Sequence, residues 1–312
     1  MDISRRQFLN FTGLGLLVGM MPTESLAKAK QANATKSKSS KSATSASSKN
    51  SSLGQRVNQY LTNQRRKGRL SKNERSAWAV SDLHSGRDLV SLNATTPLQC
   101  ASMVKPFVAL AYLHAHHRVS AKKYPLGARE KRLMSDMLAR SSNQATNALM
   151  KVLGGPAAVQ SLLKRNYGSI FQQTHIVEMI PLGGQTYRNK ASAQDYNRFL
   201  KALWGNKFPA SAYLKSVMSL PNRDRVRDGT KYVPRSAKVY DKTGTTAMLC
   251  GNMAIVACVG KNKKLYPYTI TGIIERRGRT GNLGRWSRER GNLIRDVSDM
   301  VYLDFAKRYP LS

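Results

Sequence analysis

Residues 98–107 read LQCASMVKPF, and two polar side chains, Ser102 and Lys105, stand three positions apart among apolar neighbours. On a helix, positions i and i+3 share a face, so the hydroxyl and the amine come within reach of each other. A serine hydroxyl is a weak nucleophile until a base accepts its proton, and a lysine becomes such a base when burial or nearby cations lower its pKa. The apolar residues around Lys105 provide that burial. Pro106 fits a helix only in its first turn, which puts Ser102 near the helix's positive end. Taken alone, an S-x-x-K tetrapeptide is common, and a capping serine with a snorkelling lysine explains it equally well.

Two further stretches change that balance. Ser141-Ser142-Asn143 follows a helix candidate ending in MLAR, and Lys242-Thr243-Gly244 sits on a strand candidate, 39 and 140 residues after Ser102. S-x-x-K, S-x-N and K-T-G in this order are the motifs of the penicillin-recognising serine enzymes. Over roughly residues 54–310 the sequence resembles class A β-lactamases and related penicillin-binding DD-peptidases. DLHSGRDLVSLNATTPLQCASMVK is similar to that family's hairpin leading into the nucleophile helix. SSNQATNALM is similar to its S-D-N helix start, with Asn147 at a recurrent asparagine.

The resemblance implies an α/β (α+β) fold, an antiparallel sheet flanked by helices with an inserted all-helical domain. It also implies roles. Ser102 would form the acyl-enzyme, Lys105 would accept or relay its proton, Ser141 would shuttle a proton to the leaving nitrogen, and Lys242 would supply positive charge near Ser141 and the substrate carboxylate. Asn143, Thr243, Gly244 and Thr245 are the substrate-binding candidates, with Asn143 on the substrate's amide side chain and Thr243 on its carboxylate. The backbone N–H groups of Ser102 and Thr245 would form the oxyanion hole, where each donor typically contributes about 3 kcal/mol to transition-state stabilisation. The implied substrates are β-lactams or peptidoglycan stem peptides ending in D-Ala-D-Ala.

One part of the pattern departs. Class A β-lactamases carry a glutamate in an E-x-x-L-N loop that activates the deacylating water. Aligning the IP of EMIP with that loop puts Gln173 at the glutamate and Val177 at the asparagine, and glutamine cannot accept a proton. Glu178 is the nearby carboxylate, so a shifted loop would make it, or His175, the deacylation candidate. Ser142 replaces the family's aspartate. Acylation therefore keeps its groups while fast deacylation lacks its base, a loss typically worth about 10²–10⁴ in rate.

The elements that must position these residues are legible in outline. MDISRRQFLNFTGLGLLVGMMPTESLAKA has the twin arginines, short apolar run and small residues of a twin-arginine export signal, assigned to residues 1–27. That run, eleven residues from Phe11 to Met21, is too short to span a bilayer, which needs about 20. The Lys/Ser/Ala-rich stretch 28–53 reads as a flexible tether. The hydrolase domain is expected over 54–312, its α/β part at 54–100 and 237–312 and its helical part at about 101–236. Within it, a helix is expected over 54–66, strands at 76–83 and 87–93 around a His84-Ser85-Gly86 turn, and a buried helix from Met103 to His114. Residues 130–203 read as mostly helical. Strands are expected at 238–244, 252–260 and 266–274 and a helix at 291–309, after a loop-like stretch. Ser192 with Asp195 reads as a helix cap.

Composition bounds the remaining classes. The 312 residues hold 52 Lys and Arg against 17 Asp and Glu, a net charge of +35 that points to an anionic environment. An exported protein rarely acts on nucleic acid, so the partner is expected to be anionic wall or outer-membrane polymer, and the location periplasmic or secreted. A cationic binding protein with little or no catalysis is the alternative reading of that charge. Cys100, Cys250 and Cys258 are too few for a disulfide scaffold and lack metal-ligand spacing; one pair could bridge, or all three could be small buried residues. No cofactor or metal is expected. The H-x-H-H run of His114, His116 and His117 falls at a helix end, where imidazoles meet carbonyls favourably.

Overall fold

The computed structural model describes residues 52–184 and 186–312, all within the larger of two units of the chain, Asn50–Ser312. The export signal and nearly all of the tether expected from the sequence lie outside the described residues.

The chain enters through helix α1 (Leu53–Arg66), opened by a capping box. Gln55 N–H donates to Ser52 Oγ (3.3 Å) and Ser52 N–H donates to Gln55 Oε1 (2.7 Å). Strands β1 (Glu74–Asp82), β2 (Asp88–Leu92) and β3 (Leu98–Gln99) follow, then a 3-10 turn (Ala101–Val104) that runs into α2 (Lys105–His114). The helical region continues with α3 (Ala128–Leu138), α4 (Asn143–Val152) and α5 (Pro156–Tyr167). A long loop carries the two-residue strand β4 (Lys190–Ala191) and leads to α6 (Ala193–Trp204) and α7 (Ser211–Met218). The chain returns through β5 (Lys238–Thr245), β6 (Leu249–Val259) and β7 (Leu265–Arg276) to α8 (Leu283–Arg308).

The five-stranded sheet has the order β2-β1-β7-β6-β5, with every neighbouring pair antiparallel. Both faces of its centre are covered, so β1, β6 and β7 are buried along nearly their whole length rather than at alternate positions. Side-chain alternation sorts them into two cores. Trp78, Val80, Ala254, Val256 and Ile270 meet α1 and α8 through Val57, Leu293, Val297, Val301 and Phe305. Ala77, Ala79, Met253, Ile255 and Ile273 meet the helical region, where Phe107 of α2 packs among Phe171, Tyr196 and Phe199. Full burial of each large apolar side chain contributes roughly 1.5–3 kcal/mol.

Three stretches differ from the sequence expectation. The described residues of 168–192, inside the span expected to be mostly helical, form a loop with one 3-10 turn (Leu182–Gly184), because its Gly pair and Pro181 break the helical period. The stretch expected to be loop-like contains α7, only eight residues long, too short to show a period but fixed by buried Leu214, Val217 and Met218. Helix α8 starts at Leu283, eight residues before the expected 291. Its arginine-rich first turns are anchored where Trp286 Nε1 (2.6 Å) and Arg290 Nε (2.7 Å) donate to Glu74 Oε1. All three cysteines are buried free thiols, so Cys100 does not pair with Cys250.

Candidate active site

The cleft begins at a strained turn. Cys100 N–H donates to Asn189 O (2.9 Å), Ala101 takes φ 47°, and Ser102 follows on the 3-10 turn, with Pro106 in the first turn of α2. A non-glycine residue in the left-handed region costs energy that the surroundings must offset, and here they do so by tight packing. Strand β5 lies directly against this turn. A Cβ on Gly244 would sit 3.0 Å from Met103 Cγ and 3.1 Å from Cys100 O, and one on Gly251 would sit 2.7 Å from Met103 Cε. The two glycines thus admit Met103 between strands and turn, and bring the K-T-G strand up to Ser102.

Ser141 stands in the turn between α3 and α4, also left-handed at φ 60°, while Ser142 caps α4 by accepting from Ala145 N–H (3.1 Å). Lys105 is fully buried. Its Nζ donates to Ser141 O, to Ser141 Oγ (3.1 Å) and to Asn143 Oδ1 (2.9 Å), which occupies all three ammonium donors. Burial, and then the charge of Lys242, lower its pKa to about 7. Lys242 is buried as well and is lowered to about 8, by burial first; Asp241 opposes that shift and Arg225 adds to it. Among the described residues the Ser102 hydroxyl has no hydrogen-bond partner. Near neutral pH, half-neutral Lys105 can take a proton, with Ser141 attached to it as the next hydroxyl in line.

A cleft of about 400 Å³ gathers Ser102, Ser141, Asn143 and Thr245 into one lining, with Thr246, Ala247 and Arg279 beside them. Lys105, Lys242, Thr243 and Gly244 lie outside that lining. Lys105 reaches it through Ser141 and Asn143, and the other three lead along β5 to Thr245. Sequence reasoning missed Arg225, whose Nη2 donates to Thr245 Oγ1 (2.7 Å) and Nη1 to Gly251 O (3.0 Å). Its backbone N–H donates to Asn252 Oδ1 (2.7 Å), and Asn252 Nδ2 donates to Asp241 Oδ2 (2.9 Å), so the guanidinium is braced from behind the K-T-G strand. In RDRVRDG nothing in the spacing singles out this arginine.

The opposite wall is the 168–191 loop, held by polar pins. Asp195 accepts from Gln173 N–H (2.8 Å) and Thr174 Oγ1 (2.6 Å), and Asn189 Oδ1 accepts from Val177 N–H (2.8 Å) and Glu178 N–H (3.0 Å). Asn147 on α4 grips Ile180 from both sides, its Nδ2 donating to Ile180 O (2.7 Å) and its Oδ1 accepting from Ile180 N–H (2.9 Å). Consequently Ile180, Gly183, Gly184, Thr186 and Tyr187 line the cleft, whereas Gln173, expected at the base position, does not. Gly184 fits because a Cβ there would lie 3.1 Å from Asn143 Nδ2.

Of the sequence candidates, Glu178 and His175 are left out of the cleft lining. Glu178 Oε1 accepts from Thr186 Oγ1 (2.7 Å), Tyr187 N–H (2.9 Å) and Arg188 N–H (2.9 Å), so this carboxylate closes the loop on itself. His175 forms an isolated backbone bridge with Lys190. His114 and His116 bond Tyr167 Oη and Tyr124 O through Nδ1 (2.7 Å each), and among the described residues no His/Cys/Asp/Glu cluster could hold a metal ion.

Comparison with known proteins bears on the fold. PBP-A, solved as a leucine-to-glutamate variant in an acyl-enzyme complex with penicillin G, is similar over 82% of this chain and 96% of its own, with 21% identity and a TM-score of 0.64. A β-lactamase from Streptosporangium roseum shares 19% identity over 81% of this chain and 100% of its own (TM-score 0.62). One from Chitinophaga pinensis shares 17% over 81% and 99% (TM-score 0.63). At these identities the likeness shows the fold. No curated protein matches the chain. The model of the Beta-lactamase enzyme family matches residues 57–303, and with most of the chain inside that match the protein belongs to this family of serine hydrolases.

Proposed function

We propose that β-lactams or D-Ala-D-Ala-type peptides acylate Ser102 and that the acyl group is released slowly. In this reading Lys105, neutral in part near pH 7, accepts the proton of Ser102 Oγ as that oxygen bonds the substrate carbonyl carbon. The C–N bond then breaks, and Ser141 Oγ passes a proton to the leaving nitrogen. The N–H groups of Ser102 and Thr245 hold the oxyanion, and Lys242 with Arg225, Thr243 and Thr245 holds the substrate carboxylate. Release requires a water and a group to deprotonate it. The observation that carries the proposal is Ile180: Asn147 fixes an aliphatic residue where the loop meets the cleft, and no acidic residue is among the described residues lining it. That PBP-A has been captured as an acyl-enzyme with penicillin G supports such an adduct on this fold.

Pulse labelling with fluorescent penicillin, followed by chase, tests both halves. An adduct on the wild type that persists for hours and is absent from Ser102→Ala is expected. Turnover within seconds would refute slow release, and an unlabelled wild type would refute acylation. Export through the twin-arginine pathway to the periplasm belongs to the same proposal and rests on Arg5 and Arg6; replacing both with lysine should retain the protein in the cytoplasm. The alternative, a cationic binder of envelope polymer with little catalysis, is favoured by the +35 charge alone.

A further inference from the structure

A long run rich in arginine, ERRGRTGNLGRWSRERG at 275–291, follows β7 and opens α8. Its two glutamates are engaged inside the protein or along the helix. Glu275 is buried, pairs with Arg75 (2.6 Å) and accepts from Gln99 N–H (3.0 Å), while Glu289 pairs with Arg285 (3.0 Å) and Arg290 (2.9 Å). What remains outward is cationic, with Arg277 and Arg288 exposed. The turn after α1 lies alongside, joined where Arg277 N–H donates to Asn73 O (3.1 Å), and it exposes Lys67, Arg69 and Lys72. A groove of about 480 Å³ runs between the two segments, with Lys67, Arg69 and Arg285 on its walls and Glu289 and Asp296 as its acidic members. At its other end the same run reaches the cleft, where Arg279 and Leu283 are lining residues. One basic ridge therefore leads from the catalytic cleft to a groove on another part of the surface.

A small substrate with one carboxylate uses only the cations at the cleft. A ridge that continues beyond it matches a polymer with repeated anionic groups. We propose that this ridge is an exosite for peptidoglycan, on which a glycan strand lies with its stem-peptide carboxylates against Lys67, Arg69, Arg277 and Arg288 while one stem peptide enters the cleft. The inference rests on the acyl-transfer reading for that peptide and extends it from a substrate end-group to a polymer. Continuity of ridge and cleft favours this occupant over a phosphate-rich polyanion, because only a polymer bearing the scissile peptide as a branch fills both at once.

The test uses the full chain carrying Ser102→Ala and purified insoluble peptidoglycan, with co-sedimentation as the readout. Lys67→Gln, Arg69→Gln, Arg277→Gln and Arg288→Gln together should weaken sedimentation roughly tenfold, and about 0.5 M NaCl should abolish the difference. A charge-matched control, Lys122→Gln, Lys123→Gln, Lys131→Gln and Arg132→Gln, changes exposed cations of the helical region and should lose far less. In the Ser102 background, the ridge variant should acylate with fluorescent penicillin at the wild-type rate. Equal loss in both variants, or none in the ridge variant, would overturn the exosite, as would double-stranded DNA displacing peptidoglycan at equal charge concentration. Because sedimentation needs no catalysis, failure here is distinct from failure of acylation, which unlabelled wild-type protein would reveal.

Discussion

The two walls of the cleft are built in opposite ways. On one side the nucleophile turn and β5 press backbone against side chain through Gly244 and Gly251, and two buried amines, Lys105 and Lys242, have pKa values drawn down to about 7 and about 8 by that burial. On the other side the 168–191 loop uses its polar groups for its own shape: Glu178 binds the 186–188 segment, Asp195 its root, and Asn147 the backbone of Ile180. The first wall stores reactivity in buried charge; the second stores only conformation. In the proposed reaction this contrast separates the two half-reactions, with bond formation at Ser102 drawing on the first wall and hydrolytic release on the second.

The contrast can be broken most severely at its reactive wall. Ser102→Ala should eliminate the penicillin adduct altogether, read by gel fluorescence or intact mass. Lys105→Met keeps the buried volume but removes the proton acceptor, so the acylation rate should fall by about 10²–10⁴ while the thermal midpoint stays or rises. Retained acylation would assign the base elsewhere.

The second wall is sharpened by giving it what it lacks. Ile180→Glu places a carboxylate at the pinned position and should shorten the adduct lifetime by about 10²-fold, followed by chase. An unchanged lifetime would show that water, and not the base, limits release. Asn147→Ala removes both bonds to the Ile180 backbone and should cost about 1–3 kcal/mol in a denaturant titration, leaving the acylation rate nearly intact.

The smallest effect is in pH. Acylation needs Lys105 neutral, so its rate should rise as pH passes upward through about 7; substrate carboxylate binding needs Lys242 charged, so it should fall again above about 8. A narrow bell in kcat/KM for β-lactam acylation is the expected profile, and a flat one between pH 6 and about 9 would contradict it.

How much of this was legible in the sequence follows the same division. Ser102, Lys105 and Ser141 stand at or beside helix starts and Lys242 lies within strand β5, elements for which proline placement, capping residues and strand alternation are local signals. The Ser192–Asp195 cap and the Leu293–Phe305 helical face were readable for that reason. Ile180 was not. Linear alignment on the IP pair put Gln173 at the base position, but which residue faces the cleft depends on which backbone amide Asn147 grips from a different helix. Arg225 escaped notice likewise, because its contact with Thr245 crosses between segments 20 residues apart, and RDRVRDG offers several equivalent arginines. The early start of α8 depends on Glu74, more than 200 residues away in sequence.

The sequence by itself determined the motifs and their order, most of the strands and helices, and the excess of cations, since these depend on residue type and on periods of two to four residues. The tertiary structure decided which loop residues line the cleft with Ser102, how far the two amines are desolvated, and that the basic run joins the cleft to a distant groove. Those outcomes depend on burial and on hydrogen bonds between segments remote in the chain, and no local pattern encodes the partner that such a bond will find.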